Sequence, residues 1–106
     1  MTFTIKQSDT SPSLQATLQD GNSNPVNLNG ATVKLHMKPI GGSTLLNTAM
    51  TIVNAAAGIV KYNWQTSDTS IAGTYYIEFE VTYADLSVET FPNTGNMTLL
   101  IVPEIG

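Results

Sequence analysis

"GTYYIEFEVTYADLSVETFP", from Gly73 to Pro92, decides the fold class. Tyr75, Ile77, Phe79, Val81 and Tyr83 alternate with Tyr76, Glu78, Glu80 and Thr82. Successive side chains of a strand point to opposite faces, so this period of two specifies a strand with one buried and one wet face. "ADLS" (84–87) supplies a turn, and "VETF" returns, with Val88 and Phe91 expected to continue the core. The passage reads as a β-hairpin whose aromatic core is mainly Tyr75, Phe79, Tyr83 and Phe91. At about 150–250 Å² per buried ring and about 25 cal/mol per Å², each contributes several kcal/mol before entropy is subtracted.

The same period runs outward from this arm in both directions. "TFTIK" (2–6) places Phe3 and Ile5 on one face, and "SLQATLQ" (13–19) places Leu14, Ala16 and Leu18 inward. "DGNSNP" (20–25) is a dense turn cluster. "PVNL" tucks Val26 and Leu28 against a core, and "ATVKLHMKP" alternates Val33, Leu35 and Met37 with Lys34, His36 and Lys38. "LLNTAMTIV" (45–53) is less regular, with Met50 and Ile52 expected to face inward. "NAAAG" (54–58) has the composition of one helical turn but is too short to stand as a helix. "IVKYNW" puts Val60, Tyr62 and Trp64 on one face, "QTSDTSIAG" reads as a loop, and "MTLLIV" (97–102) turns Met97, Leu99 and Ile101 inward. The pattern predicts an all-β, immunoglobulin-like antiparallel β-sandwich of seven or eight strands, as a single domain over residues 1–106. Trp64, the only tryptophan, is placed to fill the space between sheets. "AGTYY" sets Tyr75 either as a tyrosine corner, whose hydroxyl bonds nearby backbone, or as an ordinary inward aromatic.

Composition excludes several function classes. Charged residues make up 11% of the chain, the formal net charge is −4, and no arginine is present. The four lysines (Lys6, Lys34, Lys38, Lys61) are scattered, which argues against the clustered basic footprint of a nucleic-acid binder. With no cysteine there is neither a disulfide framework nor a thiolate metal site. "MTFTIKQSDTSPS" lacks the basic and apolar regions of a signal peptide, and no apolar run reaches the ~18 residues of a membrane span. A soluble protein with a hydrogen-bonding rather than ionic surface is expected, as in permanent assemblies or extracellular β-modules.

Candidate chemistry is thin. His36, the single histidine, shares the polar side of its strand with Lys34 and Lys38; no nucleophile elbow accompanies it, and a solvated or interface histidine is expected. Glu78 and Glu80 are neighbours on one strand face without a third polar partner, so a wet sheet face or a subunit contact is expected in place of a paired-carboxylate site. Asp20, Asn22 and Asn24 match the start of a calcium loop, but Pro25 and Ala31 stand where its glycine and bidentate glutamate belong. A turn is expected there. "NMT" (96–98) fits a glycosylation sequon without a secretory signal, and Gly41, Gly42 and Ser43 form no phosphate loop. "SDTS" occurs at 8–11 and again at 67–70 without a matching apolar flank, which is turn chemistry rather than duplication. No catalytic, cofactor-binding or metal-ligating residue is assigned.

The order of the phrases resembles a known family. "FTIKQSDTSPSLQATLQDGNSNPVNLNGATVKLHMKP", followed by "AAAGIVKYNW", "SDTSIAGTYYIEFEVTYAD" and "VETFPN", is similar over nearly the whole chain to the N-terminal domain of the phage baseplate upper protein (BppU) family. The matching positions are Ser8, Asp9, Thr10, Pro12 and Leu14, then Asp20, Gly21, Asn24, Pro25, Val26, Leu28 and Gly30 to Val33. Each phrase is a turn-and-strand pattern; their order and spacing carry the likeness. The resemblance implies a non-enzymatic virion protein with an immunoglobulin-like sandwich. It implies attachment of fibre or receptor-binding parts to a baseplate, tail or neck, assembly in the host cytoplasm, and other phage structural proteins as partners in an oligomeric particle. Neither nucleic acid, membrane nor cofactor is implied. The sequence stops at Gly106 with no coiled coil beyond, which suggests a stand-alone adaptor, plug or decoration subunit. The expected contacts are the edges "TFTIK" and "MTLLIV" and the turns at Asp20–Asn24 and Gly41–Ser43. The alternatives are a carbohydrate- or host-surface-binding module using Tyr76 and Trp64, a capsid decoration protein, and, weakest, a small hydrolase.

Overall fold

The computed structural model describes residues 2–43, 46–93, 95 and 97–105. Within them the chain forms β1 (Thr2–Lys6), β2 (Leu14–Thr17), β3 (Thr32–Pro39), β4 (Leu46–Ala49), β5 (Thr51–Asn54), β6 (Ile59–Tyr62), β7 (Gly73–Thr82), β8 (Val88–Phe91) and β9 (Met97–Val102), with one 3₁₀ turn at Thr66–Thr69. The protein is all-β, with nine described strands in place of the expected seven or eight. The difference lies in "LLNTAMTIV". β4 pairs with β3, whereas β5 pairs with β6, so the chain changes sheets at Met50. Met50 is buried and its N–H donates to Val33 O at 2.9 Å. The irregular pattern is the signature of that crossing. Leu45 lies outside the described residues.

The sheets are mixed. The larger follows the order β1-β9-β7-β3-β4, with β8 also on β7; the smaller is β2-β6-β5. β7 is ten residues long, so β9 pairs with its first half and β8 with its second, while β3 runs along its other side. β1 lies parallel to β9, in the register Thr2↔Thr98 to Lys6↔Val102, which corrects the antiparallel expectation. Parallel neighbours need a long connection, and here almost the whole chain supplies it.

Both sheets feed one core. Leu35, Phe79, Val81 and Ile101 of the larger sheet and Val60 of the smaller are fully buried, as is Leu28 from the irregular "PVNL" segment. Leu28 N–H donates to Ala55 O at 2.9 Å, which ties that segment to the β5–β6 turn. "NAAAG" is that turn and not a helical one; Asn54 Oδ1 caps Ala57 N–H at 3.1 Å, and Gly58 closes it at φ +68°.

One inward assignment fails. Val88 is 59% exposed, because it pairs with outward-facing Thr82, whereas Phe91 pairs with Phe79. Counting back by two from Phe91 puts Glu89, not Val88, on the core side. Its carboxylate accepts the Tyr83 hydroxyl at 2.6 Å, which satisfies both groups.

Candidate interaction surfaces

The residues singled out for chemistry are engaged mostly with their own backbone. Asp20 Oδ1 accepts Asn22 N–H at 2.8 Å and Asn24 N–H at 3.0 Å, and Asp20 N–H donates to Asn24 O at 2.9 Å. The Asn24 amide first, then that of Asn22, holds the Asp20 carboxyl below its ordinary range. The calcium-like phrase is a closed turn, locked by the Gln19–Pro25 bridge. Asp85 does the same for the β7–β8 turn: Ser87, through its hydroxyl (2.6 Å) and its amide (3.0 Å), lowers the Asp85 pKa.

The two "SDTS" segments meet. Ser8 N–H donates to Thr69 O at 2.9 Å, and the fully buried Thr69 returns its hydroxyl to Asp9 O at 2.8 Å. Gln7 Nε2 adds a bond to Ser70 O at 2.8 Å. The near-repeat is therefore two turns that complete each other's hydrogen bonds. Asp68, within the second, accepts the Tyr62 hydroxyl at 2.5 Å and Gln65 N–H at 2.8 Å. No local pattern announced that link. Tyr62 sits edge-on to Trp64, with centroids 5.4 Å apart, and Trp64 is 4% exposed. Trp64 fills the core and offers no sugar platform; Tyr76 remains on the surface.

Tyr75 is a corner. Its hydroxyl donates to Ile71 O at 2.6 Å while its ring is buried. Tyr75→Phe should cost about 1 kcal/mol, the net value of a hydrogen bond, plus part of the desolvation of the Ile71 carbonyl. Urea denaturation should show the loss with an unchanged slope; wild-type stability would remove the bond from the account.

Three phenols share an alkaline signature. Burial first, then the Asp68 carboxylate, pushes Tyr62 up to about 12. Burial and then Glu89 do the same for Tyr83, to about 12, and burial alone raises Tyr75. Folded pKa values above the ordinary 10.0 mean that the folded state favours the neutral phenol. That stability is whole below pH 10.0 and drains away as pH rises through about 12. Melting temperature measured across that window should fall less steeply in Tyr62→Phe and Tyr83→Phe. Identical slopes would contradict the coupling.

Free edges and surface clefts remain among the described residues. β1 is an outer edge, as expected; β9 is not, because β1 and β7 cover both its sides. The N-terminal strand, remote in sequence, takes the edge that "MTLLIV" was expected to offer. β8 is blunted: Asn93 Nδ2 donates to Thr90 O and to Glu89 Oε2, both at 3.1 Å, and Pro92 has no N–H. Where β3 ends and β7 begins, a cleft of about 440 Å³ opens between the larger sheet and the 3₁₀ turn. Met37, Leu46 and Tyr75 line it, beside the exposed Ile40 and Ile71. The Gly41–Ser43 turn is exposed next to it, and Asn96 of the sequon lies outside the described residues. On the wet face of the larger sheet His36 faces Glu78 across the β3–β7 pair, Nδ1 to Oε1 3.5 Å, and Glu80 faces Lys34.

Together these features describe an all-β module whose polar side chains largely close its own turns, leaving strand edges, a wet sheet face and an apolar cleft open to contact. The model of the BppU N-terminal domain matches residues 2–102, and the chain belongs to that family. It is a family of phage baseplate structural proteins, not a known enzyme family. No curated protein matches the chain.

Proposed function

We propose that this chain is a non-enzymatic structural adaptor of a tailed-phage virion, working through protein–protein contacts at the baseplate, tail, neck or fibre attachment. The observation that carries the reading is the family match across residues 2–102. We take the chain as a single immunoglobulin-like β-sandwich domain; the shared core of two sheets and the Tyr75–Ile71 corner support this. Assembly would place it among other phage structural proteins, in several copies per particle, built in the host cytoplasm.

The β1 edge is the surface proposed to meet such a partner. The outward backbone groups of Thr2 and Thr4 are open to an added strand. Thr4→Pro removes one donor at that edge while leaving the β9 side intact. If the reading is right, the variant folds and is lost from assembled particles. Normal incorporation of the Thr4 variant and of matching changes at the Asp20–Asn24 and Gly41–Ser43 turns would count against an adaptor held by these contacts.

A further inference from the structure

The wet face of the larger sheet concentrates charge in a chain that has little. Lys34 and Lys38 on β3, and Glu78 and Glu80 on β7, are four of its twelve charged side chains. They form two adjacent rows of opposite sign. Across the β3–β7 pair Lys34 stands opposite Glu80, His36 opposite Glu78, and Lys38 opposite Tyr76. Among the described residues none of the lysines lies within ion-pair distance of a carboxylate. Exposed apolar groups share the face: Tyr76 and Leu100 at 37%, and Val88 at 59%. His36 Nε2 is buried without a hydrogen-bond partner. That atom is covered by the chain's own residues, so the face offers its charge outward through Lys34, Lys38, Glu78 and Glu80.

We propose that a second copy of this chain docks face to face on the β3–β7 rows, about a two-fold axis that runs parallel to the strands between them. The register selects this operator. Rotation about such an axis lays each β3 over the partner's β7 at the same height. Lys34 then meets Glu80 of the partner subunit and Lys38 meets the ring of Tyr76 of the partner subunit, a cation–π contact, while His36 and Glu78 stay paired within each chain. A two-fold axis across the strands would set the lysine row on the lysine row. Facing sheets pack about 10 Å apart, which lysine and glutamate side chains can bridge. Opposed rows also stabilise the sheet within one chain; the docked copy adds a second, intermolecular use of the same register. This surface would serve assembly, but the inference stands on charge geometry and not on the phage role.

Sedimentation and light scattering of the full chain at low ionic strength test it. Wild type should dimerise, and added salt should weaken the dimer. Lys34→Glu sets carboxylate against carboxylate at both symmetry-related contacts, and Glu80→Lys sets ammonium against ammonium. Each should weaken self-association about 100-fold or more. An equimolar mixture of the two variants should dimerise again. The carboxylate introduced at position 34 of one chain then faces the ammonium introduced at position 80 of the other, while each chain keeps its internal like-charge pair. In wild type, a zero-length carbodiimide cross-link between Lys34 and Glu80 should join isotope-labelled to unlabelled chains. Monomeric wild type at high concentration, dimeric single variants, a monomeric mixture, or a cross-link confined within one chain would each overturn the proposal. Particle incorporation does not enter this test, so its failure leaves the adaptor role standing.

Discussion

Phe79→Ala should cost about 3–5 kcal/mol and leave little folded protein at physiological temperature. Phe79 is fully buried at the middle of the longest strand, opposite Leu35 on β3 and Phe91 on β8. Both neighbours are themselves buried and paired, so the walls of the new cavity have little freedom to collapse. Phe79→Leu should recover much of the loss. Urea denaturation reads both effects; a cost for alanine below about 1 kcal/mol would mean the core is not organised around β7.

Gly58→Ala is the second large effect, and it arises from backbone rather than from buried area. At φ +68°, an added Cβ would stand 2.7 Å from Leu18 O, 2.9 Å from Val26 O and 3.2 Å from Val26 N. The left-handed conformation costs about 1–2 kcal/mol for an L-residue. The contacts cost more, because they push on the bonds from Leu18 N–H to Gly58 O (2.8 Å) and from Val26 N–H to Leu18 O (2.9 Å). Losing these adds about 1 kcal/mol each, for an expected total of about 3 kcal/mol or more. Gly41 is the control: its φ is +78°, yet nothing lies within 4 Å of its added Cβ. Gly41→Ala should show the conformational cost alone. Equal melting temperatures for the two variants would contradict the close approach at Gly58.

The contrast between these positions marks what the sequence could disclose. β7 was legible because its residues alternate without a break from Thr74 to Thr82, and Phe79 lies inside that run. Val88 was misassigned because a short return strand does not fix its own register; a slip of one residue exchanges Val88 with Glu89. The sheet change at Met50 could be seen only as irregularity, since period two cannot say which sheet a strand joins. The β1–β9 pairing and the Tyr62–Asp68 link depend on how distant segments meet, and single-strand patterns carry no such information. The turns were read correctly where the chemistry is local: Asp20 satisfies the amides two and four residues on. The wet face was visible as alternating charge on two separate strands. Its opposed rows became apparent only with the register.

Copy number in particles tests the central claim most directly. Tailed particles released by the phage or prophage that encodes this chain can be purified on a gradient, and the chain counted against known baseplate proteins by quantitative mass spectrometry. A structural adaptor should be present in a fixed small-integer ratio to those proteins and should remain bound through high-salt washing. A chain abundant in the lysate but missing from the particles would contradict the assignment.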